Sequence, residues 1–207
     1  MTHATPDATP SPAAPARRPI AADATPEQLI SRHAADILAS PGMRIEAACI
    51  QHGDTSVLAH STAVSAWCVV IARALRVPVD ERALVRGSLL HDYFLYDWHD
   101  PSVPGRRIHG FTHPGKAMRN AVRDFDISEK EQDIIAKHMF PLTIVPPRHR
   151  ESFIVCVADK WCAICETFKI DVSDYLIERV NAEIEMSLAL EGDILAMPKE
   201  EVIPANA

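Results

Sequence analysis

The stretch GSLLHDYFLYDWHD, from Gly87 to Asp100, places a histidine and an aspartate side by side in one of the most apolar parts of the chain. Aspartate is rarely buried without a partner, because an unpaired charge in a low-dielectric interior is strongly destabilising. A buried His91-Asp92 pair therefore requires compensating groups elsewhere in the chain, and the other apolar segments are where they can be sought.

The composition indicates an ordinary globular protein. The chain has 207 residues, of which 47% are hydrophobic and 24% charged, enough for one domain with a substantial core. The formal net charge of −7 argues against nonspecific nucleic-acid binding. No stretch reaches the roughly 18 apolar residues of a membrane span, and we find no secretory signal. Five cysteines without a framework spacing fit a reducing compartment, so we expect a cytoplasmic protein without membrane attachment.

The pattern of apolar residues predicts an all-α fold. Residues 1–24 are rich in Pro and Ala without apolar periodicity and are predicted to be a disordered tail, followed by one domain over 25–207. Capping boxes at Thr25 and Ser128 and a cap at Asp80 mark helix starts. No alternating β-pattern is evident. The predicted helices lie at 26–39, 43–52, 56–75, 80–96, 113–125, 128–140, 150–168 and 171–190.

Four polar residues interrupt the apolar faces of three predicted helices. They are His60, the pair His91 and Asp92, and Asp159 within FIVCVADKW. Taken singly, each has an ordinary explanation, either a hydrogen-bonded core histidine or an aspartate paired with a cation. Together they need four separate compensations, whereas one shared divalent metal satisfies all of them, because imidazole nitrogens and carboxylate oxygens are good metal ligands.

The order His60, His91-Asp92, Asp159 in an all-α chain resembles the HD-domain superfamily of metal-dependent phosphohydrolases over roughly residues 50–170. The resemblance implies a helical bundle with a metal site in its core. His113 in HGFTHPG and His138 in IIAKHMFP match the six-ligand version of the family, which holds two metals. The resemblance to this six-ligand version implies a first metal on His60, His91, Asp92 and Asp159. It implies a second metal on His113 and His138, with Asp92 bridging the two. A single metal on the first four residues is the alternative, with His113 in an exposed loop and His138 a helix-terminal histidine.

The chain lacks the HHExxxGxGYP extension of cyclic-di-GMP phosphodiesterases after His138 and is similar to small stand-alone bacterial HD proteins. The activity that this implies is hydrolysis of a phosphomonoester or phosphodiester, in a nucleotide or another small phosphorylated metabolite, by metal-activated water. Mixed nitrogen and oxygen ligands suit Fe, Mn, Co, Ni or Zn, with Mg an option at an oxygen-rich single site. An HD-type di-iron oxygenase and a non-catalytic metal-binding regulatory module are the alternatives. A homo-oligomer is left open.

Further residues are candidates for catalysis and substrate binding. The candidate catalytic residues are Asp92, Lys116 and Asp97, and the candidate substrate-binding residues are Arg106, Arg107 and Lys116. Lys116 lies one helical turn after His113, and the arginines lie in the predicted loop 97–112, the longest in the domain. Asp97 and the nearby His99 are candidates for proton transfer. For the three cations, an exposed surface charge is the alternative.

Cys162 and Cys165 form a CxxC motif, which in other settings is redox-active or binds zinc. Here the motif lies within an apolar helical run, and no second CxxC accompanies it. We therefore predict two buried structural thiols.

Overall fold

The computed structural model describes Ile20 and residues 23–170. Its helices are α1 (Pro26–Leu38), α2 (Pro41–Ala48), α3 (Val57–Ala74), α4 (Glu81–Leu89), α5 (His109–Asp124), α6 (Glu129–Lys137) and α7 (Arg150–Thr167). A two-stranded antiparallel hairpin, β1 (Ile50–His52) and β2 (Thr55–Ser56), lies between α2 and α3, and a short 3₁₀ helix, Arg106–Ile108, precedes α5. The predicted helical fold class is therefore confirmed.

The helices begin where the sequence supplies side-chain caps. Thr25 and Ser128 form the two predicted capping boxes, and Asp80 caps α4 as expected. Ser40 and Ser56 cap α2 and α3 in the same way. In each case a side-chain oxygen accepts a hydrogen bond from a backbone N–H of the first turn, which has no partner within the helix.

Helix α3 packs mainly against α4 and α7 and forms the centre of the bundle. The core around it includes Leu29, Ile37, Val64, Leu84, Ile134 and Val155, none of which is exposed. By length and composition α3 could also span a membrane. Because 61% of it is buried inside the bundle, this is only weak evidence for a membrane span and is what a central core helix shows.

A close contact between Gly42 and Tyr93 fixes α2 against the turn after α4. A Cβ atom at Gly42 would lie 1.6 Å from the Tyr93 hydroxyl oxygen and 2.6 Å from Cε2. Tyr93 is buried, and its hydroxyl donates a hydrogen bond to Asp124. The space that an alanine side chain needs is therefore already filled by the Tyr93 ring.

We expect Gly42→Ala to displace Tyr93 and lower the free energy of unfolding by about 1–3 kcal/mol, as overpacking does elsewhere. Urea denaturation measures this change. Gly115→Ala in α5 is the matched control, because its Cβ would meet only the Arg119 side chain, at 3.5 Å, and it should not be destabilising. Equal stability of the Gly42→Ala variant and the natural protein would contradict the packing argument.

The predicted helix 43–52 is wrong over its second half. Helix α2 ends at Ala48, and the chain continues into the β-hairpin. Gly53 makes the turn with a φ of 57°, a conformation that glycine adopts without strain, and His52 pairs with Thr55 across it. The prediction that no strand is present is corrected by this hairpin, which is too short to show an alternating pattern.

The predicted helix 80–96 ends at Leu89, so His91 and Asp92 lie in the turn after α4 and not on a helix. In this turn the Phe94 N–H donates to the Asp92 carbonyl at 2.6 Å, and Leu95 has a φ of 62°. The residues after Leu89 remain apolar because the turn is buried. Periodicity alone does not distinguish such a turn from a continuing helix.

The boundaries of the other helices differ less from the predicted ones. Helix α5 begins at His109, so the predicted loop 97–112 ends before the 3₁₀ helix and Pro114 lies inside α5. Helix α6 ends at Lys137 with His138 at its C-terminal cap. The predicted helix 171–190 lies outside the described residues. So does the predicted tail 1–24, except for residues 20, 23 and 24, of which Ile20 and Ala24 are buried in the core. The domain boundaries stay a prediction.

Candidate metal centre

The six predicted ligands come from five separate segments and meet in the middle of the bundle. They are His60 on α3, His91 and Asp92 in the turn after α4, His113 on α5, His138 at the end of α6 and Asp159 on α7. Each is buried, with at most 8% of its surface exposed. The bundle therefore brings together residues that are far apart in the sequence and shields them from solvent.

A first group of donor atoms surrounds the Oδ1 atom of Asp159. His60 Nε2 lies 3.2 Å and His91 Nε2 lies 3.7 Å from this oxygen. The same two nitrogens lie 3.9 and 3.4 Å from Asp92 Oδ2. The donor atoms of His60, His91 and Asp159 all lie within 4.8 Å of one another, a spacing at which they could hold one ion.

A second group of donor atoms faces the other oxygen of Asp92. His113 Nε2 and His138 Nε2 lie 2.7 Å apart, and they lie 3.1 and 3.4 Å from Asp92 Oδ1. The two oxygens of Asp92 therefore face different pairs of histidines.

The histidine tautomers follow from the backbone around them. The Nδ1 atoms contact main-chain carbonyl oxygens, at 2.6 Å from His91 to Ser88, 2.9 Å from His113 to His109 and 2.8 Å from His138 to Ile135. A carbonyl only accepts hydrogen bonds, so in each neutral imidazole the proton is on Nδ1. The Nε2 lone pair is then free to bind a metal, as in most protein metal sites.

This tautomer assignment leaves the centre without hydrogen-bond donors where donors are needed. His113 Nε2 and His138 Nε2 both approach Asp92 Oδ1 as acceptors. Accordingly, Asp92 Oδ1 and His91 Nε2 are buried atoms without a hydrogen-bond partner in the described part of the chain. Buried polar atoms are costly in that state, and a cation satisfies them together. The residues present therefore fit a divalent metal.

The electrostatics agree with a cation site. Burial alone would raise the pKa of Asp92, but His91 and His113 outweigh it and hold the pKa well below its ordinary value. Burial would likewise raise the pKa of Asp159, but the hydrogen bond to His60 and the nearby His91 imidazole lower it instead. Burial lowers the pKa of His138 to about 3. The two carboxylates and this imidazole thus stay in the forms that bind metals. Burial would lower the pKa of His91, but Asp92 and Asp159 raise it well above its ordinary value, so a metal must displace a proton from this ring.

Glu166 is a residue of this centre that the sequence analysis missed. The Nδ1 atom of His60 lies 2.9 and 3.0 Å from its two carboxylate oxygens. Burial would lower the pKa of His60, but hydrogen bonds to Asp159 and Glu166 raise it to about 9. Glu166 follows Asp159 by seven residues and so lies on the same face of α7, which is the one signal that the sequence offers. A carboxylate behind a ligating histidine orients the ring and raises its basicity.

We expect Glu166→Gln to weaken metal binding by about 10–100-fold, the usual effect of losing such a carboxylate. The amide keeps the shape of the side chain and removes only its charge. Titration of metal-stripped protein with Co²⁺, followed by the absorption of the bound ion, measures the affinity. Glu129→Gln, at an exposed position of α6, is the matched control. An unchanged affinity in the Glu166→Gln variant would show that this carboxylate does not support His60.

Three further buried or half-buried side chains hold the His91-Asp92 turn. The Gln51 amide of β1 hydrogen-bonds Asp92 Oδ2. Glu46 of α2 accepts from the Leu95 N–H at 3.1 Å. Asn120 of α5 donates to the carbonyls of the two residues after Asp92 and lies 3.1 Å from each. These contacts cannot be predicted from the sequence, because Glu46 and Gln51 both lie in the predicted helix 43–52.

Lys116, a candidate for catalysis and for substrate binding, is linked to the second group of donors through two aromatic rings. Lys116 Nζ lies 4.2 Å from the centre of the Tyr96 ring, and the Tyr96 hydroxyl contacts His109 Nδ1 at 2.9 Å. The His109 ring stacks on that of His113, with centroids 4.6 Å apart. Lys116 is thereby connected to the second group of donors through Tyr96 and His109.

The other candidates are solvent-exposed. Arg106 and Arg107 lie on the 3₁₀ helix, and Asp97 and His99 lie in the loop before it, where they bond to each other at 3.3 Å. Their catalytic and binding roles stay predictions.

The cysteine pair lies within α7 as expected. Cys162 and Cys165 are fully buried and unoxidised, and burial raises the pKa of the Cys162 thiol. These surroundings fit structural thiols, because the reactive form of a cysteine is the thiolate.

The family model for the HD domain matches residues 57–164. The match runs from the first residue of α3 into the last turns of α7 and contains all six predicted ligands. Gln51 and Glu166 lie just outside it. No curated protein and no solved structure matches the chain.

Proposed function

This chain belongs to the HD domain family, whose members form a superfamily of metal-dependent hydrolases, and we propose that it is a phosphohydrolase with two divalent metal ions. Its substrate is a phosphomonoester or phosphodiester of a nucleotide or another small phosphorylated metabolite. The observation that carries the proposal is the acceptor-only cluster of Asp92, His113 and His138 beside the group of His60, His91 and Asp159.

Asp92 is the residue that makes two ions the better assignment. Its Oδ2 faces the first group of donors and its Oδ1 the second. His60, His91, Asp92 and Asp159 would hold one ion, and Asp92, His113 and His138 the other. The ions, when bound, lower the pKa of water and neutralise phosphoryl oxygens. Because the second group is rich in nitrogen, Fe, Mn, Co, Ni or Zn fits it better than Mg.

The surrounding residues then have distinct tasks. Gln51 fixes the orientation of the Asp92 carboxylate, and Glu166 that of the His60 ring. Lys116, held against Tyr96 one helical turn after His113, would bind phosphate oxygens. Arg106 and Arg107 precede α5, which carries His113, and would reach over the substrate. Asp97 would exchange protons with solvent at the rim.

All six ligands are at most 8% exposed. This burial supports a substrate whose reacting group is small enough to reach them. The five free, buried cysteines support a reducing compartment, and we place the protein in the cytoplasm.

A hydrolysis screen tests the function. Metal-stripped protein is reloaded with single divalent ions and offered nucleotides, dinucleotides and sugar phosphates. Release of inorganic phosphate from monoesters, and of the monoester and alcohol products from diesters, is measured with and without oxygen. Metal-dependent release that needs no oxygen is expected. Iron-dependent turnover that requires oxygen would instead identify an oxygenase. Absence of turnover with every ion would leave a regulatory metal-binding module.

We expect His113→Ala to lose mainly the second metal, because it removes one of the two imidazoles that face Asp92 Oδ1. Elemental analysis of the purified variant measures the loss as a lower metal-to-protein ratio. His33→Ala, whose ring bonds to Glu81 on the surface of α1 and α4, is the control and should keep all metal. If His113→Ala and His138→Ala both retained full metal and full rate, the second site would have to be abandoned.

A further inference from the structure

Helix α7 carries a continuous apolar stripe on the side that faces away from the metal centre. The stripe consists of Phe153, Val157, Trp161, Ile164 and Phe168, which are 47%, 59%, 45%, 51% and 73% exposed. At about 100° per residue, these five positions fall within an arc of roughly 80°. They therefore form one narrow face along the whole helix.

The stripe extends onto α3. The ring of Trp161 contacts that of Trp67 edge to face, with centroids 5.9 Å apart, and Val70 is exposed one turn further along. Single exposed apolar residues are ordinary, but a contiguous apolar surface of this kind usually marks a contact with another segment or protein. This surface needs an occupant.

The end of α7 points to an occupant within the same chain. Lys169 has a φ of 52°, and the N–H groups of Lys169 and Ile170 donate to the carbonyls of Glu166 and Cys165. These two bonds with a left-handed residue form a Schellman motif, which ends a helix and redirects the chain. The described chain thus turns away from the α7 axis at Lys169 and Ile170, at the end of the stripe.

The sequence that follows is complementary to the stripe. Between 171 and 190, apolar residues recur at Val172, Leu176, Val180 and Ile184 on one helical face, which Glu183 interrupts. Glu178 and Glu185 lie on the opposite face. This is the segment that the sequence predicts to be helical. Its 20 residues would span about 30 Å as a helix, close to the roughly 27 Å of α7.

We propose that residues 171–190 form an amphipathic helix that packs antiparallel on the α7 stripe. The connection to α7 is immediate, so the segment is present at a high effective concentration and competes well against a second copy of the chain. Docking there removes the stripe from water and covers the outer face of the helix that carries Asp159 and Glu166.

The test uses the fluorescence of Trp161 in the full chain. The chain has three tryptophans, and replacing Trp67 and Trp98 by phenylalanine leaves Trp161 alone. Quenching by acrylamide is compared between this parent, Leu176→Ser/Val180→Ser on the apolar face, and Glu178→Ser/Glu185→Ser on the opposite face as matched control. The proposal expects weak quenching in the parent and the control and severalfold stronger quenching in the apolar-face variant.

Three results would overturn the proposal. The first is strong acrylamide quenching of Trp161 in the parent. The second is equally weak quenching in the parent and the apolar-face variant. The third is quenching that becomes stronger when the parent is diluted, which would indicate a second copy as the occupant. Should the apolar-face variant not fold by circular dichroism, Val157→Ser provides the test, because this exposed position contributes little to the core. Faster trypsin cleavage after Arg179 in that variant supports docking, and an unchanged rate contradicts it.

Discussion

Asp92→Asn is expected to lower phosphate release by about 10³-fold, the order seen when a preorganised charge is removed from a reacting centre. The amide has nearly the same size as the carboxylate but carries no negative charge. In the proposed centre, the Oδ2 of Asp92 faces the first group of donors and its Oδ1 the second, so the loss weakens both metal positions at once. The helical fold should survive, because Asp92 lies in a turn and not within a helix.

The measurement pairs elemental analysis with phosphate release and far-UV circular dichroism. Asp54→Asn, at the exposed turn of the hairpin, is the matched control and should leave metal content and rate unchanged. Loss of a single metal with a residual rate would favour the one-metal alternative. An Asp92→Asn variant that keeps both metals and full turnover would contradict the bridging role.

The ligands themselves could be predicted because they break a pattern. His60 and Asp159 interrupt apolar runs on the buried faces of their helices, and a polar residue in such a place requires compensation. The helices α3 and α7 were also predicted nearly to the residue, because both are long and begin after recognisable caps or polar turns. Long periodic segments carry the strongest sequence signal.

The residues that support the ligands could not be predicted in the same way. Glu166 contacts His60 across 106 positions in the sequence, and Gln51 contacts Asp92 across 41. A single glutamate or glutamine at a helix end or in a short strand has many ordinary roles. Only the packing of α3 against α7 and of the hairpin against the turn selects one of them.

The hairpin and the turn after α4 show why the predicted ends of α2 and α4 are wrong. Residues 50–56 contain Gly53-Asp54, a known two-residue hairpin signal, but the strands beside it are too short to alternate visibly. The turn at 90–95 is buried, so its residues are as apolar as those of the helix before it. Hydrophobic periodicity reports burial, and it identifies a helix only where the backbone is regular.

A buried ion pair that joins α1, α4 and α6 gives the prediction with the largest effect on stability. The Arg86 side chain is 4% exposed, and its Nε donates to Glu131 Oε1 at 3.1 Å. Its Nη1 reaches Asp36 at 2.6 Å and the carbonyl of His33 at 3.1 Å. Glu131 is fully buried, and its other oxygen accepts from Ser128 in the capping box of α6.

Arg86→Met is expected to lower the free energy of unfolding by about 3–5 kcal/mol, because it leaves the Glu131 carboxylate buried with too little positive charge. The half-exposed Arg82, 3.3 Å from the same oxygen, compensates only in part. Urea denaturation measures the change, with Arg82→Met as the control at an expected cost below about 1 kcal/mol. A loss below about 1 kcal/mol for Arg86→Met would show that this pair does not hold the helices together.

The double variant Arg86→Met/Glu131→Leu separates charge burial from packing. Replacing both partners removes the uncompensated charge, so it should recover part of the stability lost in Arg86→Met. The recovery is incomplete because Glu131 also caps α6. Since His138 follows α6 as its C-terminal cap and α4 leads into the His91-Asp92 turn, loosening this pair should also weaken metal binding. We therefore expect Arg86→Met, but not Arg82→Met, to lose metal at urea concentrations below its unfolding transition.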